Sequence, residues 1–379
     1  MKILHTADLH LGKKLMGRSR LNEQRALMDE IVTIAKDEKV TVVLVAGDVF
    51  DTFLPPAEAE ELFYETLSKL AKFSLPVVLP GNHDDALRLS APTAIAKTNG
   101  IVLVGDDLTS YNFTHNGISV KGEQSSLKIN ANGEVLNLAL LPFPTQGKLL
   151  SLAGEVEFSQ YVSEKTVQAC SNFTKGEINI FMSHLFVLGA ESSDERELGG
   201  SKIIPPKTLK IENCSYVALG HIHKPLAVSK ADNIYYSGSM MNTTFDDLTE
   251  KRVIIVDSDG KSTEVKSVPL TSGRKLKKIT VESEQEAISA LDENSDCLVL
   301  IEYRSSVPLL SSAIAEMKKR ECFCGIEVVQ LEREKEATAS RKSKTDSELF
   351  EMFYERKTGN APKSEITELF LKAVGGEEL

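Results

Sequence analysis

The N-terminal part of the chain alternates short apolar runs with longer segments in which apolar residues recur at helical spacing. An apolar run of about four to eight residues is typical of a strand buried on both faces, whereas apolar residues three and four apart predict an amphipathic helix. The order of these patterns favours a layered α/β fold. The strands are predicted at residues 2–6, 40–47, 75–80 and 101–105, and the helices at residues 22–38 and 57–73.

From about residue 111, strand patterns follow one another without helical segments between them. The first two are YNFTHNGISVKG and GEVLNLALLPF. Strands that succeed one another in this way favour a second, more antiparallel sheet, which we expect to pack on the first. Its remaining strands are predicted at residues 178–184, 215–221, 233–239 and 251–257.

The C-terminal third has a different organisation. From residue 272 the pattern reads strand, helix, strand, helix, strand, which is enough for a small separate domain. A charged stretch almost free of apolar residues follows and predicts a linker, and two short amphipathic segments end the sequence. The predicted units are a main domain of residues 1–271, a small α/β domain of residues 272–334, a linker of residues 335–345 and helical segments at residues 346–379.

Composition limits the function classes. The 379 residues include 44 Lys+Arg and 55 Asp+Glu, a net charge of −11, which argues against nucleic-acid binding by the whole surface. A local basic groove, or a carboxylate cluster neutralised by metal ions, is still compatible with that charge. The five cysteines form no CxxC pair, and no apolar run has the length of a signal peptide or a membrane span. We expect a soluble, cytoplasmic protein with reduced thiols and no membrane association.

Polar groups that bind metals stand at the ends of five predicted strands. In an open α/β sheet, the carboxyl ends of the strands form the edge where ligands bind. Five strand ends that bring carboxylate, amide and imidazole groups to one edge are very unlikely to arise by chance. These groups are Asp8 and His10 after the first strand, Asp48 after the second, Asn82, His83 and Asp84 after the third, and His184, His221 and His223 farther along the chain.

The residue types indicate divalent metal ions. Oxygen and imidazole ligands without thiolate suit manganese, iron or zinc. Asp8 and His10 are two residues apart and face the same side of an extended strand, and His221 and His223 share that spacing. Two metal ions bridged by a carboxylate need this many ligands, and such pairs occur in phosphate-ester hydrolases. They activate a water molecule for attack on phosphorus and stabilise the charge of the transition state.

The segment GNHDD at residues 81–85 has two interpretations. Alone, it is typical of a polar turn that caps the next helix. Beside the other strand ends, Asn82 is predicted to be a neutral metal ligand and His83 to contact the scissile phosphate or the leaving oxygen. Asp84 is predicted to hold the His83 ring and to favour its protonated form. His5, inside the first strand, is predicted to be a buried structural imidazole.

The ordered set DLH, GDVFD, GNHD, a histidine that ends a strand, and GHIH resembles the calcineurin-like metallophosphoesterases. The stretches ILHTADLHLG, AGDVFDTFLPP, SDER at residues 193–196, ALGHIHKP and YYSGS narrow the resemblance to the double-strand-break repair nucleases, and to their bacterial members in particular. The specific motifs run from Met1 to about Asp246. The resemblance implies a two-sheet α/β sandwich with a small α/β capping domain and C-terminal helices.

The resemblance also implies roles for individual residues. The first metal site is expected to comprise Asp8, His10, Asp48 and His223, and the second Asp48, Asn82, His184 and His221. Asp48 would bridge two ions, with Mn²⁺ as the expected metal, and His83 would be the catalytic histidine backed by Asp84. Archaeal relatives carry a histidine at the position of Asp51, so the role of that histidine is not transferred. Asp51 could equally cap the segment before Pro55.

The implied activity is that of a manganese-dependent DNA nuclease. It would act as a single-strand endonuclease and as an ATP-dependent 3′–5′ double-strand exonuclease, and would process DNA ends and hairpins in repair and recombination. A metallophosphatase acting on phosphoproteins or small phosphate esters is the alternative, but such phosphatases usually carry GDxVDRG and GNHE where this chain has GDVFDTF and GNHDD. A non-catalytic DNA-end scaffold is disfavoured because every ligand position is filled.

The implied partners are DNA, a second copy of the chain and an ATPase with long coiled-coil arms. Helices 57–73 and about 86–97 are the candidates for the homodimer contact. The terminal segments SELFEMFYERK and KSEITELFLKAV would dock on the coiled coil, or else pack on their own domain. The basic run KKLMGRSR is either a solvated loop or a DNA phosphate contact through Lys13, Lys14, Arg18 and Arg20.

Overall fold

The computed structural model describes most of the chain. The described residues are 1–105, 110–123, 125–144, 155–187, 203–329, 345–359 and 361–375. The SDER motif at residues 193–196, and the predicted linker at residues 335–345 except for Thr345, lie outside them. Among the helices of the described ranges, none is long and apolar enough to cross a membrane.

The first sheet is built on parallel strands, as the alternation of strand and helix patterns predicted. Strands β1, β4, β5 and β6 lie side by side and run parallel. Strands β2 and β3 pair separately as a short hairpin. The elements in chain order are β1 (Lys2–Thr6), β2 (Lys14–Leu15), β3 (Arg18–Ser19), α1 (Leu21–Asp37), β4 (Val42–Ala46), α2 (Ala57–Leu70), β5 (Leu75–Leu79), α3 (Ala86–Ser90), α4 (Thr93–Thr98) and β6 (Val102–Leu103).

The second sheet is only partly antiparallel. Strands β7 to β10 pair antiparallel, whereas β10, β11, β12 and β14 run parallel. The expectation of strands without intervening helices was wrong at α5, which covers this sheet between β10 and β11. The elements are β7 (Ser110–His115), β8 (Ile118–Glu123), β9 (Ser126–Ala131), β10 (Glu134–Leu141), α5 (Glu155–Ala169), β11 (Ile178–His184), β12 (Tyr216–Gly220), β13 (Leu226–Ser229) and β14 (Ile234–Tyr236).

The predicted strand at residues 251–257 belongs to the first sheet, not to the second. This strand, β15 (Arg252–Ser258), pairs antiparallel with β1, and β16 (Thr263–Pro269) extends the sheet beyond it. The ammonium group of Met1 donates a hydrogen bond to the carbonyl oxygen of Ser258 at 2.6 Å. A run of apolar residues shows that a strand is buried but does not show which sheet it joins, and this explains the error.

The two sheets pack face to face and helices cover their outer faces. Ile3, Leu44 and Val77 of the first sheet meet Leu138 and Ile180 of the second in one buried cluster. Helices α1 and α2 cover the other face of the first sheet, and α5 covers the second sheet. The main domain is therefore a four-layer sandwich, and the central strands β4 and β5 are apolar throughout because both of their faces are covered.

The small α/β unit repeats the parallel scheme on a smaller scale. Its three strands lie in the order β17, β18, β19, and all of them run parallel. Two further helices, which pair with each other, follow near the C-terminus. The elements are β17 (Leu276–Val281), α6 (Glu284–Glu293), β18 (Leu298–Arg304), α7 (Ser311–Met317), β19 (Phe323–Val329), α8 (Asp346–Thr358) and α9 (Ser364–Gly375).

Candidate metal centre

The carboxyl ends of five parallel strands meet at one edge of the sandwich and carry the predicted polar groups there. Strands β1, β4 and β5 of the first sheet are followed by residues 8–10, 48 and 82–84. In the second sheet, His184 ends β11, and residues 221–223 follow β12. The structure brings all of the sequence-predicted ligand residues together at this edge.

The backbone at this edge is forced into conformations that are uncommon for residues with side chains. Four ligand residues have positive φ: Asp8 at 52°, His10 at 42°, Asp48 at 49° and His221 at 105°. Such conformations cost energy and concentrate at functional sites, where the surrounding structure holds them. Here they occur just after β1, β4 and β12, where the chain leaves each strand.

Two glycines allow the loops to approach each other. A Cβ atom on Gly81 would lie 2.1 Å from Oδ1 of Asp48 and 2.4 Å from its backbone nitrogen. A Cβ atom on Gly220 would lie 1.8 Å from the carbonyl oxygen of Ala46. Both sites need a residue without a side chain, because β4 with its following loop packs directly against the ends of β5 and β12.

One group of ligand atoms comes from Asp8, His10 and His223. The Nε2 atoms of His10 and His223 lie 2.8 Å apart, and one ligand atom from each of the three residues lies within 4.8 Å of the other two. Asp8 also accepts a hydrogen bond from the backbone N–H of His221 at 2.9 Å. This first set joins the end of β1 to the loop after β12.

A second group is centred on the side-chain oxygen of Asn82. This oxygen lies 3.0 Å from Nε2 of His184 and 3.0 Å from Nδ1 of His221. The carbonyl oxygen of Ala46 lies 2.9 Å from Nδ1 of His184 and orients the ring. Asn82 therefore joins the two sheets, because it reaches from the end of β5 to the ends of β11 and β12.

Asp48 lies between the two groups. Its Oδ2 atom is 3.7 Å from Nε2 of His10 and 3.4 Å from Nε2 of His184, and its side chain is 2% exposed. Burial acts to raise the pKa of Asp48, but His184, His10 and His83 together hold that pKa well below its usual range. Burial acts to lower the pKa of His184, but the carboxylates of Asp48 and Asp8 and the carbonyl group of Ala46 together raise it to about 9.

The other two buried imidazoles are kept neutral. Burial lowers the pKa of His221 to about 3, and burial together with His223 lowers the pKa of His10. Among the described residues, Nε2 of His221 and Nδ1 of His10 are buried atoms without a hydrogen-bond partner. Neutral imidazoles are the form that binds metals, and a cation near His184 would replace its proton.

The donor set fits two divalent ions. A metal–nitrogen distance of about 2.1 Å places neighbouring ligand atoms about 3 Å apart, which the contacts of both groups match. The donors are carboxylate, amide and imidazole, and such sets suit manganese, iron or zinc. Asp8, His10 and His223 would hold one ion and Asn82, His184 and His221 the other, with Asp48 reaching both.

Asp84 does not hold the ring of His83, and that prediction was wrong. Its buried carboxylate accepts hydrogen bonds from the backbone N–H groups of Val49, Phe50 and Gly81, at 2.9 to 3.0 Å. Burial, and then the charge of Asp48, raise the pKa of Asp84 to about 6. Asp84 therefore ties the GNHDD loop to the loop of the bridging carboxylate.

The ring of His83 is held by the backbone of Asp51. Its Nδ1 atom lies 2.9 Å from the carbonyl oxygen of Asp51, and its backbone N–H donates to Oδ1 of Asp48 at 2.9 Å. The carboxylate of Asp51 accepts a hydrogen bond from Lys13 at 2.8 Å. Asp51 is therefore not the cap suggested for the segment before Pro55, and no sequence motif indicated that its carbonyl group would orient His83.

The basic run is largely occupied by contacts within the protein. Lys13 pairs with Asp51, and Arg18 donates to the carbonyl oxygen of Glu321 in the small domain. Arg20 is buried, pairs with Glu23 at 2.8 Å and donates to the carbonyl oxygen of Asn242. Arg20 is therefore not accessible to DNA, contrary to the prediction. Of the four basic residues predicted to contact DNA, Lys14 is the exposed one.

His5 lies outside the metal centre. It is fully buried, with Nδ1 2.9 Å from the hydroxyl of Tyr216 and Nε2 3.2 Å from the carbonyl oxygen of Leu219. It links β1 of the first sheet to β12 of the second. This is the structural role that the sequence predicted for it.

Comparisons with known proteins identify a family and several similar proteins. The family model described as calcineurin-like phosphoesterase matches residues 1–225. The SbcD component of nuclease SbcCD from Bacillus subtilis is 34% identical over 400 residues, which cover 100% of this chain and 99% of that protein. TT1561 of Thermus thermophilus is 13% identical with a TM-score of 0.43, over 71% of this chain and 99% of that chain. GAP50 of Plasmodium is 12% identical with a TM-score of 0.44, over 73% of this chain and 86% of that chain.

The fold and the metal centre define a calcineurin-like phosphoesterase. The chain belongs to that family and, within it, to the group that contains the SbcD component of the Bacillus subtilis SbcCD nuclease. The resemblance seen in the sequence motifs is thereby confirmed.

Proposed function

We propose that this chain is the metal-dependent nuclease component of an SbcCD-type complex. It cuts single-stranded DNA internally, and together with an SbcC-type ATPase it degrades duplex ends in the 3′–5′ direction, so that DNA ends and hairpins are processed in repair and recombination. The name of the full-length Bacillus subtilis relative supports a nuclease. The single observation that carries the chemistry is the pair of ligand groups with Asp48 between them.

The protein side of the reaction follows from the contacts at the site. Two divalent ions, for which we propose Mn²⁺, supply an activated water molecule and positive charge next to the scissile phosphate. The carbonyl oxygen of Asp51 can only accept a hydrogen bond, so Nδ1 of His83 carries a proton and Nε2 is left to act on the substrate. In its protonated form His83 would neutralise a phosphate oxygen and give a proton to the leaving oxygen.

The direct test is cleavage of circular single-stranded DNA with Mn²⁺ by the purified protein and by His83→Ala. A circle has no ends, so its cutting reports endonuclease action alone. His115→Ala is the matched control, because it removes an imidazole from β7, the outermost strand of the second sheet. We expect the native protein and the control to linearise the circle, and His83→Ala to lose at least about 100-fold in rate.

A phosphopeptide assayed in parallel tests the alternative function. Hydrolysis of the phosphopeptide with intact circles would show that the metal centre is real but that the substrate is a phosphoprotein or a small phosphate ester. If neither substrate is hydrolysed by protein that binds Mn²⁺, the proposed activity of the isolated chain is wrong.

We also propose a homodimer through α2 and the short helices α3 and α4. Their outer surface exposes Leu87 by 65% and Ile95 by 70%, two large apolar side chains that a partner would cover. Leu87→Asp with Ile95→Asp is expected to convert a dimer into a monomer in sedimentation analysis. Val167→Asp on α5, which replaces another exposed side chain, is the control.

The C-terminal helices are proposed to dock on the ATPase coiled coil. Phe350 of α8 and Phe370 of α9 stack with ring centroids 4.0 Å apart and join the helices. Met352, Phe353 and Leu369 are 52%, 60% and 53% exposed, so these helices offer an apolar surface to a partner. Phe353→Asp with Leu369→Asp should abolish capture of the SbcC-type ATPase, as should deletion of residues 345–379. Retained capture by the deletion variant would refute the docking.

A further inference from the structure

We propose that Lys251 is a positioning residue for the first metal site. It acts through the backbone of His223, and it sets the affinity of the Asp8, His10 and His223 group without setting that of the Asn82, His184 and His221 group. This inference rests on the two-metal centre of the proposed function.

Lys251 is a buried cation that stands just before β15. Its side chain is 4% exposed, and its Nζ atom lies 2.5 Å from Oδ2 of Asp247 and 3.0 Å from the carbonyl oxygen of His223. Burying an ammonium group is unfavourable unless it is paired and hydrogen-bonded, so the carboxylate is needed to keep it in place. A buried ion pair adds little stability relative to apolar packing, and its best-attested use is to fix one arrangement of the chain.

The carboxylate of Asp247 is itself fixed. Its Oδ1 atom accepts hydrogen bonds from the backbone N–H of Thr249 at 3.1 Å and from the hydroxyl of Thr249 at 2.6 Å. The backbone around it is held by Asn242, whose side-chain amide donates to the carbonyl oxygens of Asp247 and Thr249. The ammonium group therefore has a defined position rather than a range of rotamers.

The ammonium group of Lys251 fixes the backbone of the loop after β12 at His223. The carbonyl oxygen of His223 also accepts a hydrogen bond from the backbone N–H of Ser239 at 3.0 Å. A Cβ atom on Gly238 would lie 2.7 Å from the same oxygen, so the two segments are in close contact. With this carbonyl held, the ring of His223 extends to within 2.8 Å of Nε2 of His10.

The second ligand group is oriented by other contacts. The ring of His184 is directed by the carbonyl oxygen of Ala46, and Asn82 lies in the loop that Asp84 ties down through Gly81. These contacts come from β4 and from the loop after β5, and not from the segment of residues 238–251. Loss of Lys251 should therefore weaken one ion far more than the other.

The test is a titration of the full-length apo protein with Mn²⁺. Calorimetry measures the affinity of each site, and electron paramagnetic resonance detects whether the bound ions are coupled. We expect the native protein to bind two ions and to show the signal of a coupled manganese pair. Lys251→Met should bind one ion normally and the other about 10–100-fold more weakly, the usual cost of losing a residue that orients a ligand. When one equivalent of Mn²⁺ is added beyond the amount that fills the strong site, the weakened site should stay largely empty. The spectrum of the variant should then be that of an isolated Mn²⁺ ion.

Two variants control the titration. Lys266→Met removes a 58% exposed lysine that pairs with Glu38, so it deletes the same charge on β16 and should keep two normal sites. Asn82→Ala removes a ligand of the second group. Its titration curve shows how the protein behaves when the second site, instead of the first, is weakened. Asp247→Asn weakens the hold on the ammonium group and should give a smaller change in the same direction as Lys251→Met.

The outcomes separate the inference from the proposed function. A native protein that binds fewer than two ions overturns the two-metal centre itself. If the native protein binds two ions, normal binding of both by Lys251→Met, or equal weakening of both, overturns the role of Lys251. If Lys251→Met does not fold, Asp247→Asn decides, because unchanged affinities in that folded variant would also contradict the proposal.

Discussion

The Nε2 atoms of His10 and His223 lie 2.8 Å apart, although 213 positions separate the two residues in the chain. His10 follows the first strand of one sheet and His223 follows β12 of the other sheet. The proposed first metal site would therefore depend on the packing of the two sheets, and its affinity for metal would report whether that packing is native.

Asp84 should contribute strongly to stability, because one buried carboxylate accepts three backbone N–H groups. Asp84→Asn offers an amide in place of one carboxylate oxygen and leaves N–H groups without an acceptor. We expect a loss of about 1–3 kcal/mol in the free energy of unfolding, measured with urea in the presence of EDTA.

The neighbouring Asp85 provides the matched control for Asp84. It caps α3 by accepting from the backbone N–H groups of Leu87 and Arg88, so Asp85→Asn keeps a residue type that caps well. Its unfolding free energy should change by less than about 0.5 kcal/mol. Equal losses in both variants would contradict a special role for Asp84.

Gly81→Ala tests the close approach of the loops after β4 and β5. The added methyl group would collide with the bridging Asp48, so either the carboxylate or the loop must move. We expect a loss of about 1–3 kcal/mol in unfolding free energy and at least tenfold weaker Mn²⁺ binding. Gly273→Ala, where the nearest atom is 3.4 Å away and belongs to a leucine side chain, should keep both properties.

His5 should make the folded protein less stable in mild acid. Burial lowers its pKa from 6.5 to about 3, so below pH 6.5 the unfolded chain binds a proton that the folded protein does not. The free energy of unfolding therefore falls as the pH falls through this window, by about 1.4 kcal/mol per pH unit from this residue. Between pH 7.5 and pH 5 the contribution is about 2 kcal/mol.

The measurement for His5 is urea unfolding at pH 7.5, 6 and 5 with EDTA, for the native protein and for His5→Gln. Glutamine does not titrate, so the variant should lose less stability on acidification, even if it starts from a lower value. Parallel pH profiles would show that His5 does not carry this dependence.

Lys14 and Arg20 should behave differently toward DNA. Lys14 is exposed, and Lys14→Met should reduce the slope of log affinity against log salt by about one, the expected loss for one phosphate contact. Arg20→Met should leave the slope unchanged and lower the unfolding free energy by about 3 kcal/mol, because it breaks a buried ion pair with Glu23. A normal slope for Lys14→Met would show that this loop does not touch DNA.

Much of the main domain could be predicted from local pattern. The parallel strands β4 and β5 are apolar throughout, and α1 and α2 have clear apolar faces, so their positions follow from the pattern of apolar residues alone. Helix α5 was missed because its apolar residues are too sparse to form a marked stripe. The placement of β15 beside β1 depends on a pairing between distant segments, which no local pattern records.

The candidate metal ligands could be brought together from the sequence because each one stands at a strand end, and the carboxyl ends of parallel strands lie at the same edge of a sheet. The residues that orient the ligands were not predictable in the same way. The carbonyl groups of Ala46 and Asp51 act through the backbone, which is identical in every residue type. Lys251 reads in the sequence as an ordinary charge before a strand, and only the folded chain shows that it is buried against His223.

The pairing of β15 with β1 has a consequence for biosynthesis. Lys2 lies opposite Asp257 and His5 lies opposite Ile254, so β1 gains its neighbour on this side only after residues 252–258 have left the ribosome. Until then the edge of β1 is unpaired, and an unpaired apolar edge is prone to associate with other chains. We therefore expect nascent chains that stop before residue 252 to depend on chaperones, and the metal centre to close late in translation.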